Sequence, residues 1–450
     1  MATASNDESD SPAEDGGPTH PFQIRAFRAL LVVRFFTILA ATGMSMIIAW
    51  QAYNIARLTM EPAAAAARLG FIGLIQFSAL FVLTPLAGLA ADNYQRTRIA
   101  MATLTVLSAC AAVLAFASYQ GTTSLPLIFA IAAVLGSCRA FQGPALSSLT
   151  PNILPKHLLP RGLAVSSMAW QAGGIIGPAV AGYAYAAKPY YAYSFSAVLI
   201  LCAVVAMVFV GTVPQAPPQK DRHPIRQVID GLSYVRTNKI VLGAITLDLF
   251  AVLLAGTTSL LPVYARDILH VGSAGLGHLA AAPGVGAAIT ALWFSVRPLR
   301  YNVGPKMLAS VAMFGLATIV FGATAFLPQQ TAIIVALGAM ATWGSADMFS
   351  VFVRQSLIQL HTPDTMRGRV SSVSMMTISA SNELGEAESG FLAALIGPVA
   401  AVILGGVGAI VVTLAWLKLF PELRTARTFD VPEHLDASHL NAARSKEAAS

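Results

Sequence analysis

A carboxylate or guanidinium group inside an apolar run is expensive to keep in a bilayer, so such residues mark sites of chemistry or of internal pairing. Asp248 is embedded in LDLFAVLL, about nine residues into an apolar run and ~13 Å deep at the helical rise. A carboxyl in that setting suits the loading and release of protons; the plainer role is a carboxyl held by a buried arginine. Glu383 and Glu386 are three residues apart on one helical face, where two like carboxylates titrate as a pair. Glu388 is turned ~160° from Glu386, toward the end of the same run. Asp248, Glu383 and Glu386 are the candidate proton-coupling residues.

Arginines, amides and aromatics supply a second set. Arg139 lies deep with Gln142 one turn on, placed for an anionic solute or a partner carboxylate. Arg34 lies about two turns into the first apolar run. Asp347 and Arg354 are seven residues apart, ~10 Å along a helix axis, too far for a direct bridge. Arg354, near the end of its run, is expected to snorkel to the interface. Arg34, Arg139, Gln142, Trp170, Gln171, Asp347 and Asn382 are candidate lining for a cavity that takes a sizeable amphipathic solute. Gln51, Gln76, His278 and Trp343 also stand at depth, where the plainer role is packing and hydrogen bonding.

Enzyme signatures are missing from the chain. It holds no G-x-x-x-x-G-K-[ST] loop, no G-x-S-x-G elbow, no H-E-x-x-H and no strand-borne G-x-G-x-x-G. Cys110, Cys138 and Cys202 sit singly in apolar runs, so no disulfide, metal or cofactor is expected.

The elements that must position these groups follow from composition. Of 450 residues, 56% are hydrophobic and 11% charged, where soluble domains carry roughly 25% charge. Mean hydropathy is +0.67. Crossing ~30 Å of hydrocarbon takes ~20 apolar residues in a helix. Runs of that length recur at 26–53, 68–91, 98–118, 124–147, 163–187, 190–211, 240–264, 274–295, 305–326, 331–354, 370–394 and 399–418. The reading is an all-α membrane protein of 12 transmembrane helices. With the N-terminus in the cytoplasm, 21 of the 28 Lys and Arg residues fall in cytoplasmic segments. Arg57, Arg68, Lys188 and Arg266 fall outside, and Arg34, Arg139 and Arg354 within helices. That asymmetry is the positive-inside rule, so the net charge of +7 sets topology and implies no nucleic-acid partner.

Five segments result: a disordered cytoplasmic tail over 1–22, a six-helix bundle over 23–211, a linker over 212–238, a second six-helix bundle over 239–420 and a tail over 421–450. The opening residues lack a basic stretch before a short apolar core, so no cleaved signal is expected. In the linker, Ile225, Val228, Ile229, Leu232 and Val235 recur at helical spacing. A short amphipathic helix on the cytoplasmic face fits, with Arg222, Arg226, Arg236 and Lys239 toward lipid phosphates. The halves echo each other: Pro155–Gly162 and Pro363–Arg369 are basic loops, each leading into a serine-bearing helix. Such repeats place a binding site between halves near the bilayer midplane.

Three motifs sharpen this. The second loop reads GLAADNYQRTR from Gly88 to Arg98, with Asp92 and Arg96 between them. The fourth run ends RAFQGPA from Arg139, and the fifth holds Gly173, Gly177, Pro178 and Gly182. Here the chain resembles the major facilitator superfamily, whose second loop follows G-x-x-x-D-x-x-G-R-R/K; Gln95 stands where that pattern has Gly. GLSYVR from Gly231, LPVYARD from Leu261, PDTMRGR from Pro363 and SNELGEAESG from Ser381 narrow the resemblance to its enterobactin-exporter-like branch, over roughly 25–420. The resemblance implies two pseudo-symmetric six-helix bundles in the inner membrane, with both termini cytoplasmic. It implies a cytoplasmic gate at Gly88, Asp92, Arg96 and Arg98, where Gly88 permits close helix approach. Gly173, Gly177, Pro178 and Gly182 match a fifth-helix element associated with antiport. The expected activity is alternating-access, proton-driven export of a small amphipathic compound, such as a siderophore or drug, by a monomer whose partners are its solute, protons and lipid. A sensor or assembly protein on the same fold, and an importer, are the alternatives.

Overall fold

The computed structural model describes residues 18–213, 224–297, 299 and 301–429, with backbone alone at 91, 92, 156, 224–228, 364 and 365. Residues 1–17, 214–223 of the linker, including Arg222, 298, 300 and 430–450 lie outside the described residues. Within them every regular element is helical. Helices α1 (Arg25–Ala56), α2 (Pro62–Asn93), α3 (Arg96–Gln120) and α4 (Leu125–Ser147) run back and forth across the molecule. A short α5 (Leu149–Ile153) leads to α6 (Leu159–Ala187) and α7 (Pro189–Val210). Then come α8 (Pro224–Thr237), α9 (Lys239–Leu254), the single turn α10 (Leu261–Val263) and α11 (Gly272–Val296). The last are α12 (Val303–Ala323), α13 (Gln329–Leu360), α14 (Asp364–Ile396), α15 (Pro398–Leu419) and the short α16 (Pro421–Thr425).

The boundaries have local causes. Pro62, Pro189 and Pro398 open their helices at the first position, where a missing N–H costs nothing. Gly121, at φ +68°, ends α3 in a left-handed conformation that a Cβ would disfavour. Asn238 caps α9 by accepting from the Val241 amide at 3.2 Å. Beyond Leu254 the helical path breaks at Gly256 and continues through α10 into a π-helical turn at Tyr264–Ile268. A Cβ on Gly256 would collide with the Gly385 carbonyl of α14, so glycine at both positions lets the break lie flat on that helix.

Ten helical stretches among the described residues are long and apolar enough to cross a membrane. The long helices α6 and α14 are not among them, so hydropathy accounts for ten of the expected spans. Their composition explains it: α6 is rich in Gly and carries Ser166, Ser167 and Gln171, and α14 carries Glu383, Glu386, Glu388 and Asn382. Both lie where the two halves of the molecule meet, against α11 and α2 respectively.

The halves repeat each other in packing. In the first, α1 packs on α6 and α7, α3 on α7 and α4, and α2 on α4. In the second, α9 packs on α14 and α15, α12 on α15 and α13, and α11 on α13. The contacts between halves follow the same exchange, α2 with α14 and α6 with α11. Short connections alternate direction, so α1, α3, α6, α9, α12 and α14 start from one face, here called basic for its Lys and Arg, and α2, α4, α7, α11, α13 and α15 from the far face. The amphipathic α8 packs against α14 on the basic face. Its Gly231 rests on the Arg369 backbone, and Asp230 pairs with Arg369 at 2.9 Å.

Within a half, glycines bring backbones together. A Cβ on Gly344 of α13 would overlap Pro283 of α11, and one on Gly286 would overlap Ala341. Gly338, two turns away, faces open space. Gly344→Ala is expected to lower the melting temperature of detergent-extracted protein by several degrees, as overpacking costs about 1–3 kcal/mol. Gly338→Ala should leave it unchanged or raise it.

Candidate functional site

The seam between halves closes toward the far face and opens toward the basic one. On the far side backbones nearly touch: a Cβ on Gly390 would lie 2.5 Å from the Gly70 nitrogen, and one on Gly73 3.1 Å from the Glu383 carbonyl. Across the other contact, a Cβ on Gly182 would lie 2.5 Å from the Ser273 carbonyl and one on Gly277 2.7 Å from that of Pro178. Gln171 Nε2 donates to the Gly284 carbonyl at 2.9 Å near mid-depth. At the basic ends of α2 and α14, Gly88 and Gly368 have nothing within 4 Å of a built Cβ. The close helix approach expected at Gly88 is therefore not made here, because the seam is splayed at that end.

A polar lock holds the far end. Asp267 accepts from Tyr53 Oη at 2.5 Å and from Arg57 Nε at 3.0 Å. Arg266 donates to Asn54 Oδ1 at 2.5 Å, and Arg57 donates to the Met60 carbonyl at 2.7 Å. The end of α1 is thus tied to the π-helical turn of the other half. The LPVYARD run and Arg57 were visible in the sequence; nothing local says that residues 210 apart bond to each other.

Where the closed part of the seam ends, Arg139 of α4 pairs with Glu383 of α14. The Arg139 side chain is 46% exposed, and Glu383 is largely covered. Arg139 also donates to Gln76 Oε1 of α2 at 3.3 Å. The second carboxylate oxygen of Glu383 is buried without a hydrogen-bond partner among the described residues. Glu386 is half-buried one turn on, its Cβ against Gly73. A guanidinium facing an open crevice, one carboxylate spanning both halves and a second beside it can exchange a proton or an anionic group for the ion pair.

A second pair sits wholly in one half. Arg354 of α13 bonds Asp248 of α9, with side-chain exposures of 3% and 8%. Arg354 does not snorkel: α13 continues to Leu360, which sets the guanidinium deeper than a helix ending at 354 would. Asp248, Asp347 and Ser350 border a cavity of about 10 Å³, room for one water. Asp347 has no hydrogen-bond or ion-pair partner among the described residues.

The other candidates disperse. Arg34 donates to the Leu146 carbonyl at 2.8 Å, closing the end of α4 in a manner suited to a helix C-terminus. Gln142 has a buried, unbonded amide nitrogen, while Trp170 and Asn382 are exposed. Gly173 and Gly177 pack on α1, and Pro178 and Gly182 on α11. The Asp92 side chain lies outside the described residues, Arg96 is half-buried and Arg98 exposed.

This architecture agrees with known proteins. The family model of the Major Facilitator Superfamily matches residues 26–386. The chain belongs to the major facilitator superfamily. It is therefore a multi-pass membrane transporter of small molecules and not an enzyme. The enterobactin exporter EntS of Citrobacter koseri is 25% identical over 91% of this chain and 94% of its own. EntS of Escherichia coli strain UTI89 is 24% identical over 93% and 96%. A peptide transporter POT in complex with sulfate superposes at TM-score 0.69 with 15% identity, covering 92% of this chain and 97% of its own. A D-xylose–proton symporter does so at 0.65 with 14% identity, over 89% and 97%.

Two outcomes follow for the transporter. Asp248→Asn leaves the Arg354 charge buried and uncompensated, a change that costs about 3–5 kcal/mol. It should yield little folded protein on size-exclusion chromatography, and the double change Asp248→Leu, Arg354→Met should restore the yield. Asp267→Asn weakens the lock, so the distance between spin labels at Leu58→Cys and Leu327→Cys, in a cysteine-free background, should lengthen.

Proposed function

We propose that this transporter exports a small amphipathic compound, of the siderophore or drug class, from the cytoplasm in exchange for protons. The positive-inside rule assigns the basic face, the open one, to the cytoplasm of the bacterial inner membrane, with both termini there. The observation that carries the reading is the Arg139–Glu383 pair, which joins the two halves where the open crevice stops. A solute entering from the cytoplasm meets the exposed face of the Arg139 guanidinium. An anionic or hydrogen-bond-accepting group competes with Glu383 for it. Once Arg139 is engaged by solute, the halves lose a bond between them, and the far-face lock is what remains to hold the molecule closed.

The proton enters from the other side. When the seam opens outward, the solute leaves to the outer water, and Glu383, with Glu386 as its neighbour, meets that water and takes a proton. Return to the inward-open form and re-formation of the ion pair release that proton to the cytoplasm. Exchange follows if the two use the pair in turn: solute replaces Glu383 at Arg139 on the way out, a proton neutralises Glu383 on the way back, and the intact pair holds the empty carrier. Each biases the conformation only by its differential affinity for the two states. The non-transporting alternative needs its intramembrane charges sealed in a closed core. The exposure of Arg139 to an open crevice argues against it. Similarity over most of the chain to proteins named as enterobactin exporters supports the direction and the solute class.

Everted membrane vesicles test this with a panel of siderophores and antibiotics. Glu383→Gln should express and fold yet lose the dependence of uptake on a pH gradient, by tenfold or more. Arg139→Gln should raise the KM for solute. If both single variants keep gradient-dependent uptake at the original rate, the apex pair is not the coupling site.

A further inference from the structure

A crevice of about 450 Å³ opens on the basic face, away from the seam, at the end of α11 and the start of α12. Its walls are Trp293, Arg297, Leu299, Tyr301 and Lys306, with Phe349 of α13 at its floor. The Arg297 guanidinium stacks on the Trp293 ring at 5.0 Å and has no ion-pair partner among the described residues. Lys306 is exposed and likewise unpaired among them. No carboxylate belongs to the described lining. Two cations thus converge on one concavity without a protein anion to neutralise them.

The floor and flank are apolar. Phe294 stacks on Phe352 at 4.3 Å and lies against Phe349 at 5.0 Å, which makes the base of the crevice rigid. From its mouth a strip of exposed side chains, Ile289, Leu292, Trp293 and Val296, climbs α11 toward mid-membrane at helical spacing. Charge at the interface, an aromatic rim at headgroup level and an apolar track into the hydrocarbon form one continuous surface.

We propose that this crevice is a binding site for an anionic phospholipid. Arg297 and Lys306 hold the headgroup phosphate, the Tyr301 hydroxyl stands at the headgroup rim, and one acyl chain follows the strip along α11. Charge complementarity selects the occupant: a zwitterionic lipid brings its own cation to a site that already has two, whereas a phosphodiester without one neutralises them. Basic pockets between membrane helices on the cytoplasmic side recognise anionic headgroups on this principle. A soluble phosphate would gain the cations but leave the apolar strip uncovered. The site is separate from the seam, so its occupancy does not depend on the direction or the solute proposed above.

The test uses full-length purified protein in detergent. Phosphatidylglycerol should raise the melting temperature, and phosphatidylcholine or inorganic phosphate at equal concentration should not. Arg297→Gln and Lys306→Gln, both at exposed positions, should leave the lipid-free melting temperature unchanged and each weaken phosphatidylglycerol binding roughly fivefold. As a second readout, phosphatidylglycerol with brominated acyl chains should quench part of the tryptophan fluorescence, and Trp293→Phe should remove that part. An equal shift by phosphatidylcholine, a shift reproduced by inorganic phosphate, or quenching that survives Trp293→Phe would each overturn the proposal.

Discussion

An arginine in hydrocarbon has to be answered by a carboxylate or by backbone carbonyls, and in this molecule one of the carboxylates comes from the other half of the chain. Arg139 and Glu383 are 244 residues apart and belong to helices of different halves. Any motion that separates the halves at the apex must leave both groups charged and alone, or supply each with a substitute. Breaking a fully buried pair costs about 3–5 kcal/mol, and the 46% exposure of Arg139 brings the cost for this pair well below that. The pair therefore cannot be indifferent to conformation, and whatever replaces either member acts on the whole seam. Asp248 and Arg354 show the contrast. Both belong to the second half, and both are sealed, so rigid movement of that half leaves their bond intact. One pair reports on the relation between halves and the other keeps a half whole.

The rigid bodies and the moving seam are built from the same device, glycine against backbone, used differently. Lipid tails are as apolar as leucine, so helices in a membrane associate through close packing more than through burial. Inside a half, Gly286 and Gly344 let α11 and α13 approach until a single methyl would not fit, which locks their relative position. Along the seam, Gly70, Gly73 and Gly390 give smooth facing surfaces on the far side, and the contact ends before Gly88 and Gly368. A surface without side chains to interlock can separate and meet again. The break at Gly256, lying on Gly385 of α14 just past Glu383, brings the one irregular stretch of the α9 path to the same depth as the apex pair.

Much of this was legible in the sequence, for physical reasons that also mark where it stopped. Hydrophobic run length and the distribution of Lys and Arg report on the solvent and pointed to the membrane class, while the echoing loops Pro155–Gly162 and Pro363–Arg369 suggested the repeat of the halves. The two helices below the hydropathy of the others, α6 and α14, were still read as spans from their runs at 163–187 and 370–394, although they carry Gln171, Glu383 and Glu386. Pairing was not legible. Asp248 and Arg354 are 106 residues apart (354 minus 248), and no pattern along the chain selects one arginine from several. Arg354 was misplaced because the helix outlasts its apolar run by six residues, up to Leu360. The far-face lock was missed for a related reason: Tyr53, Arg57 and Asp267 read singly as ordinary interfacial residues.

The magnitudes of the lock and the apex pair bear on whether such a molecule can switch. Hydrogen bonds to charged groups contribute about 1.5–3 kcal/mol each. Asp267 accepts two of these, and Arg266 donates a third to Asn54. Exposure to water on the far face brings their sum toward the low end, a few kcal/mol in all. Shifting a two-state equilibrium from 1:99 to 99:1 takes about 5.5 kcal/mol of differential binding. Releasing one member of the apex pair costs less than this, because Arg139 is half-exposed to water. A lock much stronger than this would hold the seam shut against any solute, and a much weaker one would not hold the far face closed. On the exchange proposed above, occupancy of Glu383 or Arg139 is what shifts the balance between that lock and an open far face.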